Sequence, residues 1–240
     1  MPDTGAFRFE QDLVASFKLS LPSLLYLGAA DVVTSLYEET IGDVVPDVLI
    51  GVWQDDSYVD YRPLTYVEAH LLSFITQSGP LSADDLGERL HLTSTGANRA
   101  LKRLLHLNTV AYDEDGCLRT QVERAYPAVQ IVAFEAKLVR WKDALEQAET
   151  YLRFANRAFV VLDGSQIALS ARVVSAFKDS RVGLYLQHDT RTTCVLDAAW
   201  HLPLGPDRIV AIRKLGKAAR ASRYHSLLEA GNRSPLLVSA

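Results

Sequence analysis

Two residues of opposite charge lie two positions apart within an apolar run, Ile131-Val132-Ala133-Phe134-Glu135-Ala136-Lys137-Leu138-Val139. The run reads as a buried strand, and strand side chains alternate between faces. Glu135 and Lys137 therefore point one way, while Phe134, Ala136 and Leu138 point the other. Charge in a buried strand is costly unless it is paired or binds a metal, so the pair marks a candidate site.

The segment that follows has helical spacing from Trp141 to about Asn156. Trp141, Ala144, Leu145, Ala148, Leu152 and Ala155 form one apolar stripe, with Lys142, Asp143, Glu146, Glu149 and Arg153 opposite. Gln147 and Tyr151 lie one turn apart on the border of that stripe. They are expected to be partly buried and to face the end of the neighbouring strand.

The surrounding elements divide into three parts. From about Phe7 to Tyr61 the pattern gives a helix over Phe9 to Leu25, bent or ended by Pro22, and then two strands. The second strand is Val45-Pro46-Asp47-Val48-Leu49-Ile50-Gly51-Val52, after a weak turn signal at Gly42-Asp43. Leu64 to Thr120 reads as three helices and a hairpin. Thr65-Tyr66-Val67-Glu68 is a capping-box pattern opening a helix through about Gln77. Ser82-Ala83-Asp84-Asp85 starts a shorter helix, and Ser94 caps a third from Thr95 to His106. Val110 to Tyr112 and Cys117 to Arg119 flank a glycine-containing turn.

From Gln121 strand and helix alternate. Strands are expected at Ala158 to Leu162, Val182 to Gln187 and Val195 to Ala199, with a helix near Leu169 to Lys178. The tail from Arg208 to Ala240 carries seven Lys/Arg against the single acid Glu229, which reads as a basic segment with non-specific grip on nucleic acid. The fold expected is α/β: a mixed sheet flanked by helices, formed by residues 1–63 and 121–240, and interrupted by a module at 64–120.

With 240 residues, 48% of them hydrophobic, the chain can bury one large core or two modest ones. A net charge of -4 excludes little, because a local basic patch binds nucleic acid even within an acidic protein. Cys117 and Cys194 lack metal-ligand spacing, and the six histidines are scattered without zinc-type spacing. No signal peptide, membrane-length apolar run or glycine-rich phosphate loop is visible. A reduced, cytoplasmic protein that does not contact membranes is expected.

Pro46-Asp47 at a strand start, then Glu135-Ala136-Lys137, then Gln147-x-x-x-Tyr151 resembles the PD-(D/E)XK nuclease superfamily, nearest to its RecB-type, Gln-x-x-x-Tyr members. The resemblance covers the outer segments and implies a restriction-endonuclease-like core. It implies that Asp47 and Glu135 ligate Mg²⁺ or Mn²⁺, which keeps several waters, lowers the pKa of one of them and polarises the scissile phosphate. Lys137 would position that water or offset developing charge. Gln147 and Tyr151 would hold the site and DNA, and Glu10 on the first helix is a further candidate. In the family a short hairpin usually joins the two acid-bearing strands. Here the middle segment must take the place of that hairpin if the site is to survive.

The middle segment resembles a winged helix-turn-helix, whose third helix enters the major groove. That helix buries Ala97, Ala100, Leu101, Leu104 and Leu105 and presents Asn98, Arg99, Lys102, Arg103 and His106. Asn98, Arg99, Lys102 and Arg103 are the expected DNA contacts. Asp113-Glu114-Asp115 at the wing tip would be repelled by phosphates, and the module carries five Lys/Arg against seven Asp/Glu.

Three functions follow from these readings. The first is a metal-dependent nuclease or DNA-processing enzyme. The second is a non-catalytic DNA-binding transcription regulator that uses a nuclease-like fold as scaffold. The third is an adaptor within a larger DNA-processing assembly. A homodimer is compatible with all three.

Overall fold

The computed structural model describes residues 6–24, 31–54, 64–82, 85–86, 94–125, 129–189 and 191–232. Most of the helix expected after Ser82 lies outside them. Helix α1 (Glu10–Leu24) closes just past Pro22 and precedes strands β1 (Asp31–Tyr37) and β2 (Val48–Gln54). The middle module supplies α2 (Tyr66–Ser78), α3 (Ser94–His106) and the hairpin β3 (Val110–Tyr112) with β4 (Leu118–Thr120). A short helix α4 (Val122–Ala125) returns the chain to β5 (Val129–Lys137). Then come α5 (Trp141–Tyr151), β6 (Arg157–Asp163), α6 (Ala171–Ser180), β7 (Gly183–His188), β8 (Arg191–Leu196) and α7 (Pro206–Asn232).

One six-stranded sheet has the order β1-β2-β5-β6-β7-β8. β5, β6 and β7 run parallel, and the other neighbours are antiparallel. The parallel pairs demand crossovers, which α5 and α6 supply. Both sheet faces are covered. On one, Val132, Phe134 and Ala136 of β5 pack with Leu13 and Phe17 of α1. On the other, Ile131 and Ala133 pack with Ala144 and Ala148 of α5 and with Ile212 and Leu215 of α7. Burial on two faces explains why β5 is a continuous apolar run rather than an alternating one.

The middle segment is spliced between two strands that are neighbours in the sheet. β2 and β5 pair directly, Val48 against Phe134 and Leu49 against Ala133. The module has its own core of Leu71, Leu72, Ile75, Leu101, Leu104 and Leu118. Thr65 caps α2 as a full capping box, with Glu68 Oε2 accepting from Thr65 N at 2.7 Å. Gly116 takes φ 74 at the hairpin turn, a conformation that favours glycine.

Four expectations need correction. α5 stops at Tyr151, five residues short of Asn156, because the chain must turn to enter β6. Asn156 instead donates its N–H to Ile131 O, accepts from Ile131 N through Oδ1, and so locks the loop to β5. β2 begins at Val48, which leaves Asp47 at the strand mouth. The last strand runs over Arg191–Leu196, earlier in the chain than expected. The basic tail is not a free arm over its described part. It forms α7, whose Arg208 (2% exposed) and Arg213 (3%) are buried in the protein. Arg208 donates to Phe154 O, Asn156 Oδ1 and Val129 O, and Lys214 bonds Glu39 and Thr40 O.

Candidate functional site

The β2–β5 pairing brings the two sequence-distant acids together. One step beyond the Val48–Phe134 pair, Asp47 stands opposite Glu135. Asp47 Oδ2 accepts from Ala136 N at 2.7 Å. Glu135, 2% exposed, accepts from Lys137 Nζ at 2.8 Å through Oε1 and from the Tyr151 hydroxyl through Oε2. Val45 O lies 3.3 Å from the same hydroxyl. Glu10, at the start of α1, reaches Lys137 Nζ at 3.4 Å. Asp47, Glu135, Lys137, Tyr151 and Glu10 are therefore one contiguous cluster at the carboxyl end of β5.

Gln147 differs from its expected position. α5 seats Ala144, Leu145, Ala148 and Tyr151 against the sheet, and Gln147 falls on the exposed flank. There it lines a cleft of about 630 Å³ together with Asp43, Val45, Lys137, Arg140 and Tyr151. Asp43 and Arg140 were not singled out in the sequence. Each lies in a stretch with no local signal beyond a turn or a helix start.

The electrostatics are those of acids crowded in a dry place. Burial, then the charge of Asp47, raises the Glu135 carboxyl, against the pull of Lys137 and Tyr151. Asp47 is raised by burial, with Glu10 and Glu38 adding to the effect, while the Ala136 amide and Lys137 oppose it. Burial favours a neutral Lys137, yet Glu135, Asp47 and Glu10 outweigh it and hold the ammonium charged. Tyr151 is pushed up by burial and by Glu135, so its phenol stays a donor. A cation or a shared proton would relieve the acid pair. Among the described residues no group of three or more His, Cys, Asp or Glu side chains converges as a metal cage. The donor set suits at most a divalent ion that keeps several waters, as Mg²⁺ does.

The second candidate surface is α3. Ala97, Ala100, Leu101 and Leu104 face the module's core, and Asn98, Arg99, Lys102 and His106 are exposed. Arg103 is shared between roles, because its guanidinium lies 3.3 Å from Glu68, a carboxylate buried in α2. A buried acid calls for a cation, so Arg103 braces α2 against α3. In the wing, Asp113 Oδ1 accepts from Asp115 N and Cys117 N, and Oδ2 bonds Arg119. Arg119 and those amides hold the Asp113 carboxyl below the usual range. The wing's acidity thus partly serves its own turn.

Residues 62–115 match the MarR family, which agrees with the helices and hairpin seen there: this module is a winged helix-turn-helix. The match covers the module and not the sheet domain. No curated protein matches the chain. Among solved structures, a protein of unknown function from Silicibacter pomeroyi is similar over 45% of this chain and 68% of its own, at 21% identity and a TM-score of 0.29. A likeness that slight carries no argument. No described helix is long and apolar enough to cross a membrane.

Proposed function

We propose that the protein binds duplex DNA through α3 and acts as a transcription regulator, with the α/β domain as its scaffold or sensor. The observation that carries this reading is the MarR-family match over a module whose third helix turns Asn98, Arg99 and Lys102 outward. Arg and Asn suit base edges in the major groove, and Lys suits phosphates. The test is fluorescence anisotropy of a labelled duplex with wild type and with Arg99→Ala plus Lys102→Ala. Strong loss of binding in the double variant is expected, and equal affinity at every salt concentration removes the reading.

A second reading is favoured by the convergence of Asp47, Glu135 and Lys137 across β2 and β5. It is metal-dependent phosphodiester hydrolysis on a PD-(D/E)XK-like core. Asp47 and Glu135 would hold Mg²⁺ or Mn²⁺, which when bound supplies a water of lowered pKa and polarises a phosphate. Lys137 would place its ammonium beside developing negative charge, and Tyr151 would orient Glu135 through its hydroxyl. Glu10 and Gln147 would flank the substrate side of the cleft. Purified protein incubated with plasmid and either metal should nick it, and Glu135→Gln and Lys137→Ala should not. Nicking that persists equally in both variants removes this site.

A further inference from the structure

The first turn of α7 touches both the winged helix and the turn that leads into the acidic cleft. Asp207, the second residue of α7, is buried beside the Gly42–Asp43 turn that leads into Asp47. The fit is tight: a Cβ at Gly42 would lie 2.6 Å from Asp207 Oδ1. Arg153, just after α5, donates to Asp43 and lies 3.4 Å from Asp207 Oδ2. Two residues on, Ile209 is part of the winged-helix core, while Arg208 between them is bonded into the sheet domain. The segment before α7 is held as well, since Ser73 and Gln77 of α2 donate to Leu204 O.

Close-packed contacts transmit displacement rather than absorb it. A shift of α2 relative to the sheet must move Leu204 or Ile209, and with them the first turn of α7. That turn abuts Gly42 and is bonded through Arg153 to Asp43. Val44, Val45, Pro46 and Asp47 follow directly in the chain.

We infer that the first turn of α7, through the Asp207–Arg153–Asp43 contacts, couples the winged helix to the turn carrying Asp47, so that duplex engaged by α3 repositions the acid pair. This rests on the reading of α3 as the DNA-binding element. The coupling is reciprocal: whatever settles in the cleft alters duplex affinity.

The test uses ¹H–¹⁵N spectra of the full chain, titrated with a random-sequence duplex. The amides of Ala100 and Leu101 report on α3, and the amide of Ala136, bonded to Asp47, reports on the cleft. In wild type both sets shift. In Arg153→Gln and in Asp207→Asn the α3 amides still shift and the Ala136 response is lost. The Arg153 side chain is nearly half exposed and loses only its ion pairs, so that variant keeps its fold. An Ala136 amide that stays still in wild type at saturating duplex overturns the coupling. So does an equal shift in both variants, which would mean that duplex touches the cleft directly. Silent α3 amides in wild type would instead overturn the DNA-binding reading, and the coupling with it.

Discussion

The cluster on β5 and the outward face of α3 each hold charge on an otherwise apolar element, yet they solve opposite problems. Around Glu135 the charges are buried or half-buried and satisfy one another: Lys137 and Tyr151 bond the two carboxylate oxygens of Glu135, and the Ala136 amide bonds Asp47 Oδ2. On α3 the cations Arg99 and Lys102 stand in solvent above a buried alanine and leucine face. The first arrangement is coupled to stability, and the second is free to meet a partner. A charge's environment, more than its identity, separates a group that holds the fold from one that reads a ligand.

The difference is sharpest on replacing one lysine in each region. Lys137→Met leaves Glu135 buried without its cation and should cost about 3 kcal/mol, the low end for breaking a buried pair. Lys102→Met should change stability by less than about 0.5 kcal/mol. Urea denaturation of both at neutral pH measures the contrast, and similar midpoints would erase it. Tyr151→Phe should rank next, at about 2 kcal/mol, because a buried carboxylate oxygen loses its donor. The same urea series checks it.

A pH series sharpens the comparison with a smaller effect. Asp47 and Glu135 are raised in the folded protein above their ordinary values of 3.8 and 4.5. The native state therefore binds more protons than the unfolded chain between the ordinary and raised values. The pair's contribution to stability falls as pH rises through that window and improves as pH drops back toward the ordinary values. Glu135→Gln should flatten this slope, whereas Arg99→Ala should leave it intact. Unfolding midpoints across mildly acidic pH give the result.

Much of the cluster was legible because strand alternation and helix spacing are local rules. Glu135 and Lys137 share a face by strand parity, and Tyr151 follows from the α5 stripe. The β2–β5 adjacency and the packing around Asp207 depend on contacts between residues far apart in sequence, which no local pattern encodes. α7 escaped for a related reason. It packs Ile209 into the module while Ala211, Ile212 and Leu215 face the sheet, so its apolar residues form no single stripe. Its buried Arg208 and Arg213 read as solvated charge in the sequence. The bond of Arg103 to the buried Glu68 depends on α2 packing against α3, which the α3 sequence alone does not encode.

Salt dependence of duplex binding tests most directly whether α3 carries the interaction. Each phosphate neutralised by a cation adds about -0.9 to the slope of log affinity against log salt. With Lys102 on a phosphate and Arg99 on a base edge, Arg99→Ala plus Lys102→Ala should flatten that slope by about 0.9 and weaken binding at every salt concentration. Unchanged slope and unchanged affinity in the double variant would contradict a DNA-binding role for this helix.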